Sequence, residues 1–72
     1  MLKRTVNPSI KYDAADEEVI AKKAIELNIE VISRYPKENN RVSLHIYGTE
    51  ESVEELLTWM DENLTGEMEA EF

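Results

Sequence analysis

The stretch VSLHIYGT, residues 42–49, alternates between apolar and more polar residues, which predicts a β-strand with one buried face. Its inward positions would be Val42, Leu44 and Ile46, and its outward positions Ser43, His45 and Tyr47. Gly48 and Thr49 then end the strand and cap a helix in which apolar residues recur at spacings of three and four. The apolar positions of this helix are Val53, Leu56, Leu57, Met60 and Leu64.

The chain before this strand predicts a strand, a helix and a second strand. Residues 6–12 alternate around Pro8, which cannot donate a ladder hydrogen bond and therefore marks a bulge or a break. Asp13 suits the N-cap of a helix, and Asn28 suits the left-handed residue that closes it. Residues 29–35 are rich in β-branched side chains and predict a strand that Pro36 ends, before a polar turn over residues 37–40. The buried stripe of the first helix would be Ile20, Ala24 and Leu27, with Val19 and Ile29 beside it.

The tail adds a last short strand. Gly66 would stop the second helix, and Met68, Ala70 and Phe72 then alternate with three glutamates. The order of elements predicts an α+β ferredoxin-like fold (βαββαβ) in a single domain over residues 1–72. Four antiparallel strands would lie in the order 4-1-3-2, with both helices on one face of the sheet and the other face open.

Charge is distributed unevenly along the chain. The formal net charge is −8, and residues 49–72 carry nine acidic side chains without a single Lys or Arg. Such a field repels nucleic acid and acidic membrane surfaces and attracts basic partners. The charge therefore favours a protein partner with a basic surface, and it argues against direct binding of nucleic acid or membrane.

Composition limits the remaining choices. With 72 residues and no Cys, the chain has no disulfide or thiolate metal site to support a small core. No apolar run is long enough to span a membrane. Lys3 and Arg4 are not followed by the apolar segment of a secretory signal, so we expect a cytoplasmic protein, in the cytoplasm of the host cell if the source is a virus.

Several segments of the chain resemble the acylphosphatases, which share this order of elements. The segments are residues 24–29 (AIELNI), 33–34 (SR), 41–48 (RVSLHIYG) and 54–59 (EELLTW). The resemblance covers residues 19–66 and implies the ferredoxin-like fold. That family cradles phosphate in a glycine-containing loop after its first strand, with an Arg that opens the helix and an Asn near the second strand. Residues 6–18 contain neither Gly nor Arg, and the acids there would repel phosphate: Asp13, Asp16, Glu17 and Glu18. The resemblance therefore implies at most a degenerate acylphosphatase that lacks the phosphate chemistry.

Catalytic patterns are weak. His45 is the only histidine, and neither Ser43 nor Ser52 carries a nucleophile-elbow or oxyanion motif. The pair Glu51 and Glu55 is explained by the solvated face of a helix. Asp61, Glu62 and Glu67 lack the spacing of a calcium loop. We therefore expect no enzyme activity, no metal site and no cofactor.

Two binding surfaces remain, and both are hypotheses. The first is an acidic face on the second helix, extended by Glu67, Glu69 and Glu71, that would occupy a basic nucleic-acid-binding groove and inhibit the partner, as viral counter-defence proteins do. Its residues are Glu50, Glu51, Glu54, Glu55, Asp61 and Glu62. Solvation alone would also explain this face. Trp59 lies at the margin of the apolar stripe, where partial burial is expected.

The alternative is the open sheet face, packed on another chain or on a second copy as a homodimer. Its residues would be Ser43, His45, Tyr47, Ile32 and Arg34. The second strand would lie at the sheet edge, where edge pairing could supply the contact. A structural domain without a ligand, natural or designed, is the third hypothesis.

Overall fold

The structure is a computed structural model that describes residues 4–64 and 66–72, with the backbone alone at residues 36 and 37. Lys3, named from the sequence, and the side chain of Lys37, in the predicted turn over residues 37–40, lie outside the described residues. The strands are β1 (Thr5–Val6), β2 (Ser9–Asp13), β3 (Glu30–Glu38), β4 (Arg41–Thr49) and β5 (Glu69–Glu71). The helices are α1 (Glu17–Glu26), which follows a 3₁₀ turn at Ala14–Asp16, and α2 (Glu50–Asn63).

The antiparallel sheet is built around β4, which pairs with β3 on one side and with both β1 and β2 on the other. The amide of Ile46 donates to the carbonyl of Pro8 at 3.2 Å, which keeps β1 and β2 in line along the same side of β4. β5 pairs with β2 at the far edge. The sheet therefore has five strands rather than the predicted four, because Pro8 divides the first strand into two. If β1 and β2 are counted as one strand, the order across the sheet is β5, β1/β2, β4, β3, which is the predicted order 4-1-3-2.

The β3–β4 hairpin differs from its predicted form at Pro36. β3 continues through Pro36 to Glu38 instead of ending at residue 35. Proline is tolerated because β3 pairs only with β4 and forms a sheet edge in the described part of the chain. The two-residue turn is Asn39-Asn40, with φ of 52° and 64°. Two positive φ angles match the right-handed twist of a hairpin, and asparagine tolerates them.

A register shift at Ile32 changes which side chains share a face. Val31 lies opposite Ile46, but Ser33 rather than Ile32 lies opposite His45, and Arg34 lies opposite Leu44. An inserted residue of this kind reverses the alternation for the residues that follow it, here from Ser33 to Tyr35, before a second register shift between Tyr35 and Glu38. The prediction that Arg34 and Ile32 lie on the open face with His45 is therefore wrong for Arg34, which lies on the face that the helices cover.

Both helices pack on the same side of the sheet around one core. Inward residues of the sheet and residues of the two helices form a single buried cluster: Ile10, Tyr12, Ile20, Ala24, Ile29, Val42, Leu44, Ile46, Val53, Leu56 and Met60. Leu27, Leu57, Trp59, Leu64 and Met68 are partly buried against it. The stripe predicted for α1 is confirmed at Ile20 and Ala24, while Val19 remains 46% exposed.

Capping follows the sequence closely. Asp13 accepts a hydrogen bond from the amide of Ala15 at 2.9 Å, although it caps the 3₁₀ turn and α1 begins only at Glu17. Asn28 closes α1 with φ of 58°, as predicted. Thr49 caps α2, and its Oγ1 accepts from the amide of Ser52 at 3.2 Å. α2 ends at Asn63, before the predicted stop at Gly66.

The last strand is shorter and more exposed than the alternation predicts. β5 spans only Glu69–Glu71, and all three residues are exposed. Met68 is partly buried against the core, whereas Phe72 is 72% exposed and does not take the inward position expected for it. Over the described residues, no helix combines the length and the apolar character needed to cross a membrane.

Candidate protein-binding surfaces

The acidic face lies on the side of α2 that points away from the core. Successive helical residues are separated by about 100°, so all six acids fall within an arc of about 140°. The acidic face comprises Glu50, Glu51, Glu54, Glu55, Asp61 and Glu62. Val53, Leu56 and Met60 are buried on the opposite side of the same helix. The core packing of α2 therefore fixes the direction in which these carboxylates point.

Among the described residues, only one of these six carboxylates has an ion-pair partner. Glu50 lies 3.3 Å from the guanidinium of Arg4. The other five are exposed, and none belongs to an ion pair among the described residues. The nearby Lys23 of α1 is directed to Glu26 of its own helix, at 3.4 Å. At these five positions a basic partner could bind without first breaking an ion pair among the described residues, and only Glu50 would have to exchange its contact with Arg4.

The acidity continues around the β5 edge of the molecule. Asp61, Glu67 and Glu69 line one depression of about 350 Å³ between the end of α2 and β5. Glu69 lies opposite Lys11, and Glu71 opposite Ser9, which places both glutamates on the open face of the sheet. The predicted extension therefore lies at the β5 edge and on the open face of the sheet, and it does not prolong the acidic face along α2.

Trp59 separates the acidic face from the core. Its indole is partly buried, as predicted, and the ammonium of Lys23 lies 5.8 Å from its ring centroid. This distance is within the range of a cation–π contact. No sequence pattern indicated this contact, since the partner comes from the other helix.

The open face of the sheet is polar with three aromatic rings. Strand register places Tyr35, Ser43, Lys11 and Glu69 in one row across the sheet, and Ser33, His45, Ser9 and Glu71 in the next. The rings of Tyr35 and His45 meet edge to face, with centroids 5.4 Å apart. Tyr47 is 43% exposed on the same face. Of the predicted sheet-face residues, Ser43, His45 and Tyr47 therefore share a surface. Tyr35, which the sequence did not single out, lies on the same surface.

Arg34 serves a different contact. Its guanidinium donates to the carboxylate of Glu17 and so ties β3 to the start of α1. Burial raises the pKa of the Tyr12 phenol above its ordinary value of 10.0, and the nearby charge of Arg34 partly opposes that rise. Arg34 thus belongs to the helix side of the sheet and not to the open face.

Exposed apolar side chains occur on the edge strand β3 and on α1. On β3, Ile32 is 52% exposed and Val31 44%; on α1, Ile25 is 75% exposed. Ile25 could have been flagged from the sequence because it falls outside the buried stripe of its helix. We call Val31 and Ile32 the edge patch, because they are neighbours on a strand that forms a sheet edge in the described part of the chain.

Groups that could support catalysis remain apart. Ser52 accepts a hydrogen bond from the Thr49 hydroxyl at 2.9 Å within the cap of α2, on the helix side of the sheet, whereas His45 lies on the open face. Across residues 4–64 and 66–72, no three His, Asp or Glu side chains are grouped to hold a metal ion. In the loop after β2, the buried carboxylate of Asp16 accepts from the amide of Gly66 at 3.3 Å.

No protein-family model and no curated protein sequence matches the chain. Among solved structures, it is similar to a protein of Thermus thermophilus described as PII-like and signalling, with a TM-score of 0.67 and 11% identity over 97% of this chain and 86% of that one. It is also similar to the de novo designed protein Ferredog-Diesel, with a TM-score of 0.57 and 16% identity over 100% of this chain and 88% of that one. At these identities the similarity shows the fold alone, and it supports the ferredoxin-like assignment.

Proposed function

We propose that the protein is a non-catalytic binding module that places the acidic face of α2 against the basic surface of a partner protein. The observation that supports this most directly is the set of five exposed carboxylates on one helix without an ion pair among the described residues. Complementary charge accelerates encounter and fixes orientation more than it adds affinity. A partner surface that normally holds nucleic acid would then be blocked, which makes the module a competitive inhibitor.

The dimensions of α2 suit this role. A helix of 14 residues is about 21 Å long, and its carboxylates are held in place by a buried opposite side. A disordered acidic segment would lose conformational entropy on binding, whereas a folded helix has already lost it. The rigid placement of the acids is therefore an advantage that an acidic tail would lack.

Charge neutralisation with a matched control tests this proposal. The test variant changes three acids of the face to Gln: Glu51, Glu54 and Glu55. The control changes three exposed acids elsewhere to Gln, for the same net charge: Glu18, Glu30 and Glu38. The probe is a labelled Arg-rich helical peptide, with a citrulline version as its neutral counterpart, and the measurement is fluorescence anisotropy.

The test variant should lose about tenfold in affinity for the Arg-rich peptide, since each exposed ion pair contributes about 0.2–1 kcal/mol. The control should change by less than about threefold at physiological salt, where charges beyond about 8 Å are screened. Affinity of the unchanged protein should fall steeply as salt rises. Equal losses in the two variants, or an affinity that is flat with salt, would refute the proposal.

Self-association is a second candidate function, favoured by the edge patch. Edge strands with exposed apolar residues are sites at which another chain can add. The described charges of β3 are Glu30, Arg34 and Glu38, so this edge is less acidic than α2. Sedimentation over a range of concentrations should show a mass that rises toward a dimer. Ile32→Glu would abolish that rise if the edge pairs, and Tyr47→Glu if the open face does; a constant monomer mass excludes both.

A further inference from the structure

The ring of Trp59 already holds a cation in the free protein. Lys23 projects from α1 so that its ammonium lies 5.8 Å from the ring centroid, and its side chain is only 22% exposed. Its one ion pair in the described part of the chain is to Glu26, at 3.4 Å on the same helix. Ion pairs between helical residues three or four apart contribute only about 0.2–0.5 kcal/mol, and Glu26 is 69% exposed, so a competing group could displace the lysine.

Lys23 divides the groove between the two helices. On the α2 side lies a depression of about 450 Å³, lined by Lys23, Trp59 and residues of the acidic face. On the α1 side lies a second depression of about 230 Å³, lined by Lys23 and Trp59 together with Val19, Lys22 and Glu26. Because both depressions share the same ring and the same lysine, movement of Lys23 would join them.

We propose that this groove receives an arginine of a basic peptide segment, whose guanidinium takes the place of Lys23 on the ring of Trp59. The inference rests on the proposed function and gives its partner a specific chemistry. Arginine fits better than lysine because its guanidinium is planar, less strongly hydrated and able to stack on an aromatic face. Glu55 and Glu62 lie four residues before and three residues after Trp59, so their carboxylates flank the ring along the helix surface.

The carboxylates alone do not define this site. They attract any basic surface, whereas the ring and the lysine on it specify one position at which a single cation is bound on an apolar support. The partner segment is thus anchored by one arginine in the groove, while the outer acids guide it by charge. Lys23 acts as an internal competitor that lowers the affinity of the free protein for such a segment.

A matched pair of lysine variants tests this mechanism. Lys23→Gln and Lys22→Gln remove the same charge from the same helix, but only Lys23 lies over the ring; Lys22 is paired with Glu18 at 3.5 Å and is exposed. Trp59 is the only tryptophan of the chain, so its emission reports directly on the site. The titrant is the Arg-rich helical peptide, and a Lys-rich peptide of equal length is the second probe.

We expect Lys23→Gln to bind the Arg-rich peptide about threefold more tightly than Lys22→Gln does. In Lys23→Gln the arginine no longer has to displace the lysine from the ring, and such a cation–π contact contributes about 0.5–1 kcal/mol. The emission of Trp59 should shift on saturation with the Arg-rich peptide and shift less with the Lys-rich one. Trp59→Leu, followed by anisotropy of the labelled peptide, should remove the difference between the two lysine variants.

The outcomes separate the two proposals. In one outcome, Lys22→Gln and Lys23→Gln bind the peptide with equal affinity, the emission of Trp59 does not shift, and binding still depends on salt. This outcome would refute the groove proposal but not the proposed function of the acidic face. No binding of the Arg-rich peptide by any variant would overturn the proposed function, and the groove with it. Retained folding of each variant is checked by far-ultraviolet circular dichroism.

Discussion

The packing of α1 can be tested with one substitution made at two positions. Ile20 and Ile25 are on the same helix, five residues apart, and differ chiefly in burial: Ile20 is 0% exposed and Ile25 is 75% exposed. Ile20→Ala and Ile25→Ala remove the same three carbons and change helix propensity by the same amount. Any difference in their stability therefore reports the contribution of burial.

The expected difference is large for a domain of this size. Truncation of a buried Ile to Ala costs about 2–5 kcal/mol, because apolar contact is lost and a cavity remains. A domain of 72 residues has a free energy of unfolding of about 4–11 kcal/mol. Ile20→Ala should therefore remove a large fraction of the stability. Ile25→Ala should change it by less than about 0.5 kcal/mol, since Ala is the better helix former and little area is lost.

Urea unfolding, followed by circular dichroism and by the emission of Trp59, provides the measurement. The slope of free energy with urea is about 1 kcal/mol per molar for a small domain, so the midpoint of Ile20→Ala should lie about 2 M or more below that of Ile25→Ala. Low protein concentration keeps self-association at the edge patch from contributing. Coincident midpoints for the two variants would refute the assigned orientation of α1.

Three further predictions concern the cap of α2, the contact at Gly66 and alkaline stability. Thr49→Ala should lower the free energy of unfolding by about 1 kcal/mol through loss of the N-cap acceptor, and Thr49→Ser should restore most of it in the same urea assay. Gly66→Ala should lower the melting temperature, because the new Cβ would lie 2.8 Å from the Cβ of Asp13, and insertion of a side chain into such a contact costs about 1–3 kcal/mol; an unchanged melting temperature would contradict the contact. Because burial raises the pKa of Tyr12 in the folded state, the unfolded chain loses this proton first, so stability should fall as pH rises above about 10 and be unaffected by this group below that value. Tyr12→Phe should unfold with a shallower loss of stability in that alkaline range, and equal slopes for the two proteins would count against the burial of the phenol.

Much of the fold could be predicted from local patterns. The alternation of residues 42–47 placed Val42, Leu44 and Ile46 in the core, since a strand with one buried face has a period of two. Asn28 and Thr49 marked the end of one helix and the start of the next, since their side chains suit the backbone angles and hydrogen bonds required there. Pro8 correctly marked a break in the first strand.

Features that depend on contacts between distant residues could not be predicted in this way. The bulge at Ile32 leaves no mark in the alternation, yet it moves Arg34 to the helix side, where it meets Glu17. Pro36 predicted the end of a strand, and this was wrong because an edge strand tolerates proline. The predicted strand order already placed this strand at the edge, but only the pairing of Glu38 with Arg41 shows that the hairpin continues past the proline.

By itself, the sequence determined the strand and helix pattern, the caps and the concentration of acids on α2, because all of these follow from the period of one element. Only the tertiary structure decided which neighbours each side chain meets. It brought Lys23 of α1 over Trp59 of α2, and it left Val31 and Ile32 exposed on the edge strand β3. The physical reason is that helix packing and strand register are set by the sum of many weak contacts across the domain, which no single segment of sequence contains.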